Sequence, residues 1–356
     1  MYQKVRPLFL LCETPLHAGS GSDLGVVDLP IQRERHTSYP KIESSSLKGA
    51  LREDFEASDS TNFIAADGKE YPINKGLRSN GKGVDIREPL TLAFGPEGED
   101  SASAHAGALG FTDARILLFP VKSMRGVFAY ITCPAVLHRF ERDMRLVSGW
   151  EDFSISGIPN SSSFSNTDGN FAYYFEGCQA EIPGADAAIL EEYTFNLATA
   201  DKDKVKVSKK NLEEVALGTF FSEILAMEDD FLDAKLKTDI LIISDNDFRD
   251  FVEMSTEVIT RTKIDNETGT VQKGGLFTEE YLPSDSLMYT LVMSAPVFQP
   301  EDKRNGCLLK SEDDVMSYFE QGLNNKVIQL GANATLGKGL LRTKLLNGQN
   351  QENHDK

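Results

Sequence analysis

The apolar positions of this chain fall into short blocks of strand length, interleaved with helical stripes and two long polar stretches. Val5–Thr14 is the first block and predicts a strand that ends at Thr14-Pro15. A glycine-rich loop, His17 to Gly25, follows it. Ser44-Ser45-Ser46 predicts a helix N-terminus, with Leu47, Ala50, Leu51 and Phe55 forming an amphipathic stripe. Ile116–Val121 and Val127–Thr132 predict two strands joined by Lys122–Gly126, and Ala135–Val147 predicts a helix behind Pro134. Leu212–Met227 reads as helical, Leu236–Ser244 as a strand, and Asp245 as the cap of a helix running through Phe251. Glu257–Ile264 and Thr270–Phe277 flank Asp265-Asn266-Glu267-Thr268-Gly269, a strong hairpin signal. A strand at Leu287–Ser294, a helix at Glu312–Gly322, a second glycine loop at 331–339 and a last strand complete the pattern.

Residues 58–107 and 148–211 are polar and rich in Gly, Ser, Asn and Asp, so they read as irregular insertions. The tail at 349–356 reads as disordered. No repeat and no linker divides the chain. The pattern predicts an α+β sheet core with two large insertions, one domain over 1–348.

The chain has 356 residues, 40% hydrophobic and 26% charged, enough apolar material for a substantial core. The longest apolar runs, such as Leu8–Cys12, fall far short of a membrane span, and the first residues show no signal-peptide pattern. The four cysteines (Cys12, Cys133, Cys178, Cys307) form no CxxC pair, which predicts reduced thiols in a cytoplasmic protein rather than a zinc site. A net charge of −18 repels nucleic acid at long range. The charge is uneven, however: residues 1–52 carry seven basic and five acidic side chains, and Gly331–Lys344 holds Lys338, Arg342 and Lys344 with no acid. Global charge therefore does not decide the partner.

Two segments carry candidate chemistry. Gly19, Gly21 and Gly25, with Ser20 among them, let backbone N–H groups approach a phosphate closely, although no P-loop ending is present. An ordinary turn would look the same. The helix behind it starts with hydroxyls, Ser46 among them, and sets Lys48 and Arg52 four residues apart. Such a helix suits a polyanion, or it is simply capped and solvated. The second loop offers Asn333, Thr335, Gly337 and Lys338. The two loops would build one phosphate-tracking groove if the terminal strands are neighbours.

The run HAGSGSDLGVVDLPIQRERHTSYPKIESSSLKGALR (17–52) closely resembles the RAMP-superfamily backbone subunits of type III-B CRISPR-Cas (Cmr) complexes. Residues 111–134, 248–285 and 330–340 extend the resemblance to roughly a third of the chain, spread from end to end. The resemblance implies an RRM-like (ferredoxin-like) palm with a protruding β-hairpin thumb at about 262–280. It implies subunits stacked along a guide CRISPR RNA beside other Cmr subunits, with a complementary target RNA cut at regular intervals. Asp28 matches the family's catalytic aspartate, and His17, Glu279 and Tyr281 fall on positions tied to activity. Ser46, Lys48 and Arg52 lie on the helix that follows the guide backbone in the family, and loop 331–339 matches its second guide contact.

Cleavage by the RNA's own 2′-OH needs in-line geometry, help in deprotonation and charge neutralisation on the phosphorane. A carboxylate such as Asp28 can ligate a hydrated Mg²⁺ or accept the proton. Two rivals stand beside this reading. One is a non-catalytic guide-binding scaffold of the same fold; the other, a metalloenzyme for small molecules, lacks histidines at ligand spacing among the five present.

Overall fold

The computed structural model describes residues 2–23, 25–58, 61–74, 78–79, 85–86, 89–96, 105–164, 170–199, 205–208, 214–225, 229–298, 308–323 and 325–346. The tail at 349–356, Cys307 and parts of both insertion stretches lie outside the described residues.

The first strand, Lys4–Cys12, is apolar on both sides from Pro7 onward because it is central. Its last six residues are all buried. It pairs antiparallel with Leu287–Ser294 on one edge and with Leu340–Leu345 on the other. The two ends of the chain are thus neighbours in one sheet. From that centre the sheet continues through Ala114–Lys122, Phe128–Thr132, Ile240–Ile242, Asn170–Tyr174, Tyr193–Thr199 and Ala187–Leu190, and on the opposite side it ends at Val327–Gln329. The architecture is mixed α+β, with both parallel and antiparallel neighbours.

The helix Ser44–Ala57 buries Leu47, Leu51 and Phe55, the stripe its sequence spaces three to four residues apart. Phe55 stacks on Phe319 of the helix Glu312–Leu323, with ring centroids 5.7 Å apart, so the first and last helices share a core. On the Pro134–Met144 helix, Phe140 meets Phe9 and Tyr289 of the sheet edge-on.

Three expectations are corrected. The stretch 148–211 is not irregular throughout: Asn170–Tyr174, Ala187–Leu190 and Tyr193–Thr199 extend the main sheet. Residues 230–238 form a helix, Asp230–Thr238, although the apolar run from Leu236 predicts a strand. Asp229 starts it by accepting from the N–H groups of Phe231 and Leu232, satisfying two donors that a helix end leaves unpaired. Ser244, not Asp245, caps the helix Asp245–Met254. Asp245 instead accepts from the Ala135 N–H at 2.9 Å, at the start of another helix.

No helix among the described residues is long and apolar enough to cross a membrane. Cys12, Cys133 and Cys178 are buried thiols. Burial pushes the pKa values of Cys133 and Cys178 up to about 12, which leaves them inert as nucleophiles at neutral pH.

Candidate nucleic-acid interface

The predicted hairpin forms from Glu257–Ile264 and Val271–Tyr281 and is a separate two-stranded sheet. Its turn follows from Asp265, whose Oδ1 accepts from the N–H groups of Glu267 and Thr268, each at 2.9 Å, while Gly269 takes a φ of +67°. Val258, Ile264, Val271 and Leu276 remain about half exposed or more along its length. The hairpin base carries the interest.

Successive residues of a strand point to opposite faces, and Thr278–Tyr281 uses both. Glu279 and Tyr281 are buried side by side, with the Tyr281 hydroxyl donating to Glu279 Oε2 at 2.5 Å. Arg261, on the opposing strand, binds both: its Nε donates to Glu279 and its Nη2 donates to the Tyr281 hydroxyl at 2.7 Å. Asn333 Nδ2 completes the cluster, 2.8 Å from the Tyr281 oxygen and 3.2 Å from Glu279 Oε2. Lys338 Nζ stands 5.0 Å from the centre of the Tyr281 ring, a cation–π distance. Burial alone would raise the pKa of Glu279, but the hydrogen bonds from Tyr281, Arg261 and Asn333 outweigh it and hold the carboxyl below its ordinary value.

Thr278 and Glu280 serve the segment that carries Asp28. Leu29 pairs in parallel with this strand, its N–H donating to the Thr278 carbonyl and its carbonyl accepting from Glu280 N–H, both at 3.0 Å. Beside that pairing, Asp28 Oδ2 accepts from the Thr278 N–H at 2.7 Å and from the Thr278 hydroxyl at 2.9 Å. The same hydroxyl accepts from Asp28 N–H at 2.9 Å. Asp28 is exposed, and among the described residues no donor reaches its Oδ1. These bonds to the charged form, the Thr278 N–H foremost, lower the Asp28 pKa. The carboxylate is therefore ionised, oriented and half unused.

His17 lies beneath. Its Nδ1 is 2.6 Å from the Glu280 carbonyl oxygen, an acceptor only, so Nδ1 carries the proton and Nε2 is left as an acceptor in the neutral ring. A β-carbon at Gly19 would stand 2.7 Å from Nε2, which explains the glycine there. His17 is itself buried, and its carbonyl accepts from the Ala332 N–H at 3.0 Å, so the two glycine loops touch.

Among the other predicted RNA contacts, Gly21 (φ +104°) and Gly337 (φ +71°) have open space where a side chain would be. Thr335 is exposed. Ser20 donates both N–H and hydroxyl to the Pro30 carbonyl, and Ser46 accepts from Gln32 Nε2 at 3.4 Å. Lys48 and Arg52 each have partners within the chain. Lys48 Nζ donates to the Leu109 carbonyl at 2.8 Å, and Arg52 donates to Glu56 at 2.6 Å and to the Gly95 carbonyl at 2.5 Å. Burial, and then Arg52, lower the Lys48 pKa. Both cations are tied to the chain itself.

Sequence reasoning missed Arg261, Thr278, Glu280 and Arg33, whose guanidinium pairs with Glu280. The signal lay in Thr278-Glu279-Glu280-Tyr281, where strand alternation assigns two adjacent acids to opposite faces. Among the described residues, no three His, Cys, Asp or Glu side chains are placed to hold a metal ion together. The donor set is one exposed carboxylate, which fits a hydrated Mg²⁺ shared with RNA phosphates and not an ion caged by protein.

The sequence matches the RAMP superfamily over residues 9–342. The chain belongs to the RAMP superfamily. This RAMP chain is 38% identical over 335 residues to the CRISPR system Cmr endoribonuclease Cmr4 of Pyrococcus furiosus, covering 93% of this chain and 92% of that protein. It is 23% identical to the CRISPR system CMR subunit Cmr4 of Saccharolobus solfataricus, over 97% and 98% of the two chains. Its fold is similar to that of oligomeric Cmr4 from Pyrococcus furiosus (TM-score 0.57, 28% identity, covering 98% of this chain and all of that one). It also matches, at 20% identity and therefore as a fold alone, a chain of the type III-B Cmr-beta complex bound to cognate target RNA (TM-score 0.63, covering 97% and 98%).

Proposed function

We propose that this RAMP chain is a repeating backbone subunit of a type III-B CRISPR-guided complex, one that holds guide RNA and cleaves the complementary target RNA. The observation that carries the reading is Asp28: an exposed, ionised carboxylate with one oxygen unengaged, fixed to the base of an exposed hairpin and beside a glycine loop open to phosphates. The relative named as a Cmr endoribonuclease supports it, as does the oligomeric relative for stacking of copies. Guide RNA, target RNA, further copies of the chain and other Cmr subunits are the partners, and the cytoplasm is the compartment.

In this reading 1–348 is one domain. The antiparallel neighbours Ala114–Lys122, Leu287–Ser294, Lys4–Cys12 and Leu340–Leu345 form the centre of an RRM-like palm, and the Glu257–Tyr281 hairpin is the thumb.

Asp28 touches the reacting nucleotide. Its lowered pKa makes it a poor proton acceptor at neutral pH, so its main contribution is fixed negative charge at a set position. Asp28 would hold a hydrated Mg²⁺, which when bound supplies charge neutralisation at the phosphate. His17, Glu279 and Tyr281 are buried and act as positioning residues: they join the hairpin base to the two glycine loops. The hairpin displaces a base pair and frees the nucleotide to rotate into line, a contribution of positioning.

The test is cleavage of a guide-complementary RNA by the assembled complex. Asp28→Asn should lower the rate about a hundredfold or more, because the charge that would hold the metal is lost, while target binding survives. An unaltered rate would favour a non-catalytic scaffold.

A further inference from the structure

The hydrogen bonds that fix the Asp28 carboxylate come from across the chain, both from Thr278. Three hydrogen bonds join Asp28 to Thr278, and two of them use one hydroxyl, which donates to Asp28 Oδ2 and accepts from Asp28 N–H. The third comes from the Thr278 backbone. The segment is fixed again further along the same strand. Glu280, buried, accepts from the Ile31 N–H at 3.0 Å and from the Thr256 hydroxyl at 2.8 Å, and pairs with Arg33. Every one of these partners sits on or beside the hairpin or in the segment it grips, and Thr278 lies 250 residues from Asp28 in sequence.

We propose that Thr278 is a positioning residue for target-RNA cleavage, its hydroxyl setting the direction of the Asp28 carboxylate and so coupling the hairpin to the cutting group. The inference rests on the function proposed above. The hairpin thereby gains a second role. Where it wedges into the duplex, the carboxylate goes with it, because Thr278 and Leu29 make the two one rigid edge. Without the hydroxyl the carboxylate keeps only the bond from the Thr278 N–H and can pivot about it, so its other oxygen is no longer aimed at the phosphate. Misplacement by about 1 Å is enough to cost on the order of a hundredfold in rate.

Strand stability and carboxylate orientation make opposite demands at this position. Valine matches threonine in shape and β-propensity but has no hydroxyl; serine keeps the hydroxyl and loses the branch. If Thr278 only stabilises the strand, Thr278→Val should be the better substitute. If it positions Asp28, Thr278→Ser should be.

The experiment compares wild type, Thr278→Val, Thr278→Ser and Asp28→Asn in the assembled, guide-loaded complex, measuring single-turnover cleavage at saturating target and target affinity separately. Thr278→Val should cleave roughly tenfold or more slowly with unchanged target affinity, and Thr278→Ser should stay within roughly threefold of wild type. Cleavage by Thr278→Val at the wild-type rate, or equal losses in both variants, would overturn the positioning role while Asp28→Asn remained inactive. Full activity in Asp28→Asn would overturn the functional reading itself, and the role of Thr278 with it.

Discussion

Gly331 lies against the main chain of His17: its φ is +85°, and a β-carbon there would overlap the His17 carbonyl oxygen. This contact brings the glycine loops from the two ends of the chain into one surface, next to the Ala332 N–H donated to the same carbonyl.

Gly331→Ala therefore meets a steric clash and an unfavourable backbone region together. The expected cost is about 1–3 kcal/mol, visible as a lower midpoint in denaturant unfolding. Guide binding should weaken as well, because the two loops would part. Gly337, with a similar φ but open surroundings, is the comparison, and Gly337→Ala should cost less. Equal losses at the two positions would mean that backbone strain alone matters.

Buried Glu279 ties its buried neighbour Tyr281 to the half-buried Arg261 and Asn333 in one cluster. Glu279→Gln preserves shape but removes the charge that three donors address, so stability should fall by about 1–3 kcal/mol at neutral pH. The direction with pH follows from the lowered pKa. A carboxyl depressed on folding contributes stability that is fully present above its unfolded value and is lost as pH falls through its folded value. The gap between wild type and Glu279→Gln should be constant near neutrality and should close as pH drops below the ordinary carboxylate range. A gap that does not change with acid would mean that Glu279 acts through shape and not through charge.

Much of this architecture is legible in the sequence. Alternating and continuous apolar runs mark the central strands, and Asp265 to Gly269 marks the hairpin because turn chemistry is local. What escapes is non-local. The strand Asn170–Tyr174 lies in a polar stretch and pairs in parallel with Tyr193–Thr199, and no local pattern encodes that pairing. The helix Asp230–Thr238 has Leu232 and Leu236 at helical spacing, yet Leu236 also begins an apolar run that looks like a strand. At the site, residue types are readable and orientations are not. Lys48 and Arg52 have the spacing of phosphate ligands, but the carbonyls they bind belong to Leu109 and Gly95, distant in sequence.

Those two cations carry a prediction of their own. Lys48→Ala and Arg52→Ala should each lower stability by about 1 kcal/mol through lost hydrogen bonds to the chain. Guide affinity should keep its dependence on salt if both head groups stay with the chain partners they bind here. A decrease of about one in the slope of log affinity against log salt would show instead that Lys48 exchanges Leu109 for the guide.

The hairpin tip gives the last prediction. Asn266–Gly269 closes the turn and touches neither glycine loop through any hydrogen bond among the described residues. Asp28 is gripped at the other end of the same strand, at Thr278. Shortening the turn by deleting Asn266–Gly269 and rejoining the strands should therefore leave guide binding and the Asp28 grip in place while removing the outer part of the wedge. The assembled complex should still bind target, yet its cuts should become irregular in position or slow, as the displaced nucleotide is no longer fixed. Mapping the 5′ ends of the products decides it. Attack by the 2′-OH leaves a 5′-OH on the downstream fragment and a cyclic phosphate on the upstream one, and both termini should persist in the shortened variant, because the chemistry lies at the base. Unchanged sites at an unchanged rate would show that the outer hairpin does not set the register, and that the palm does.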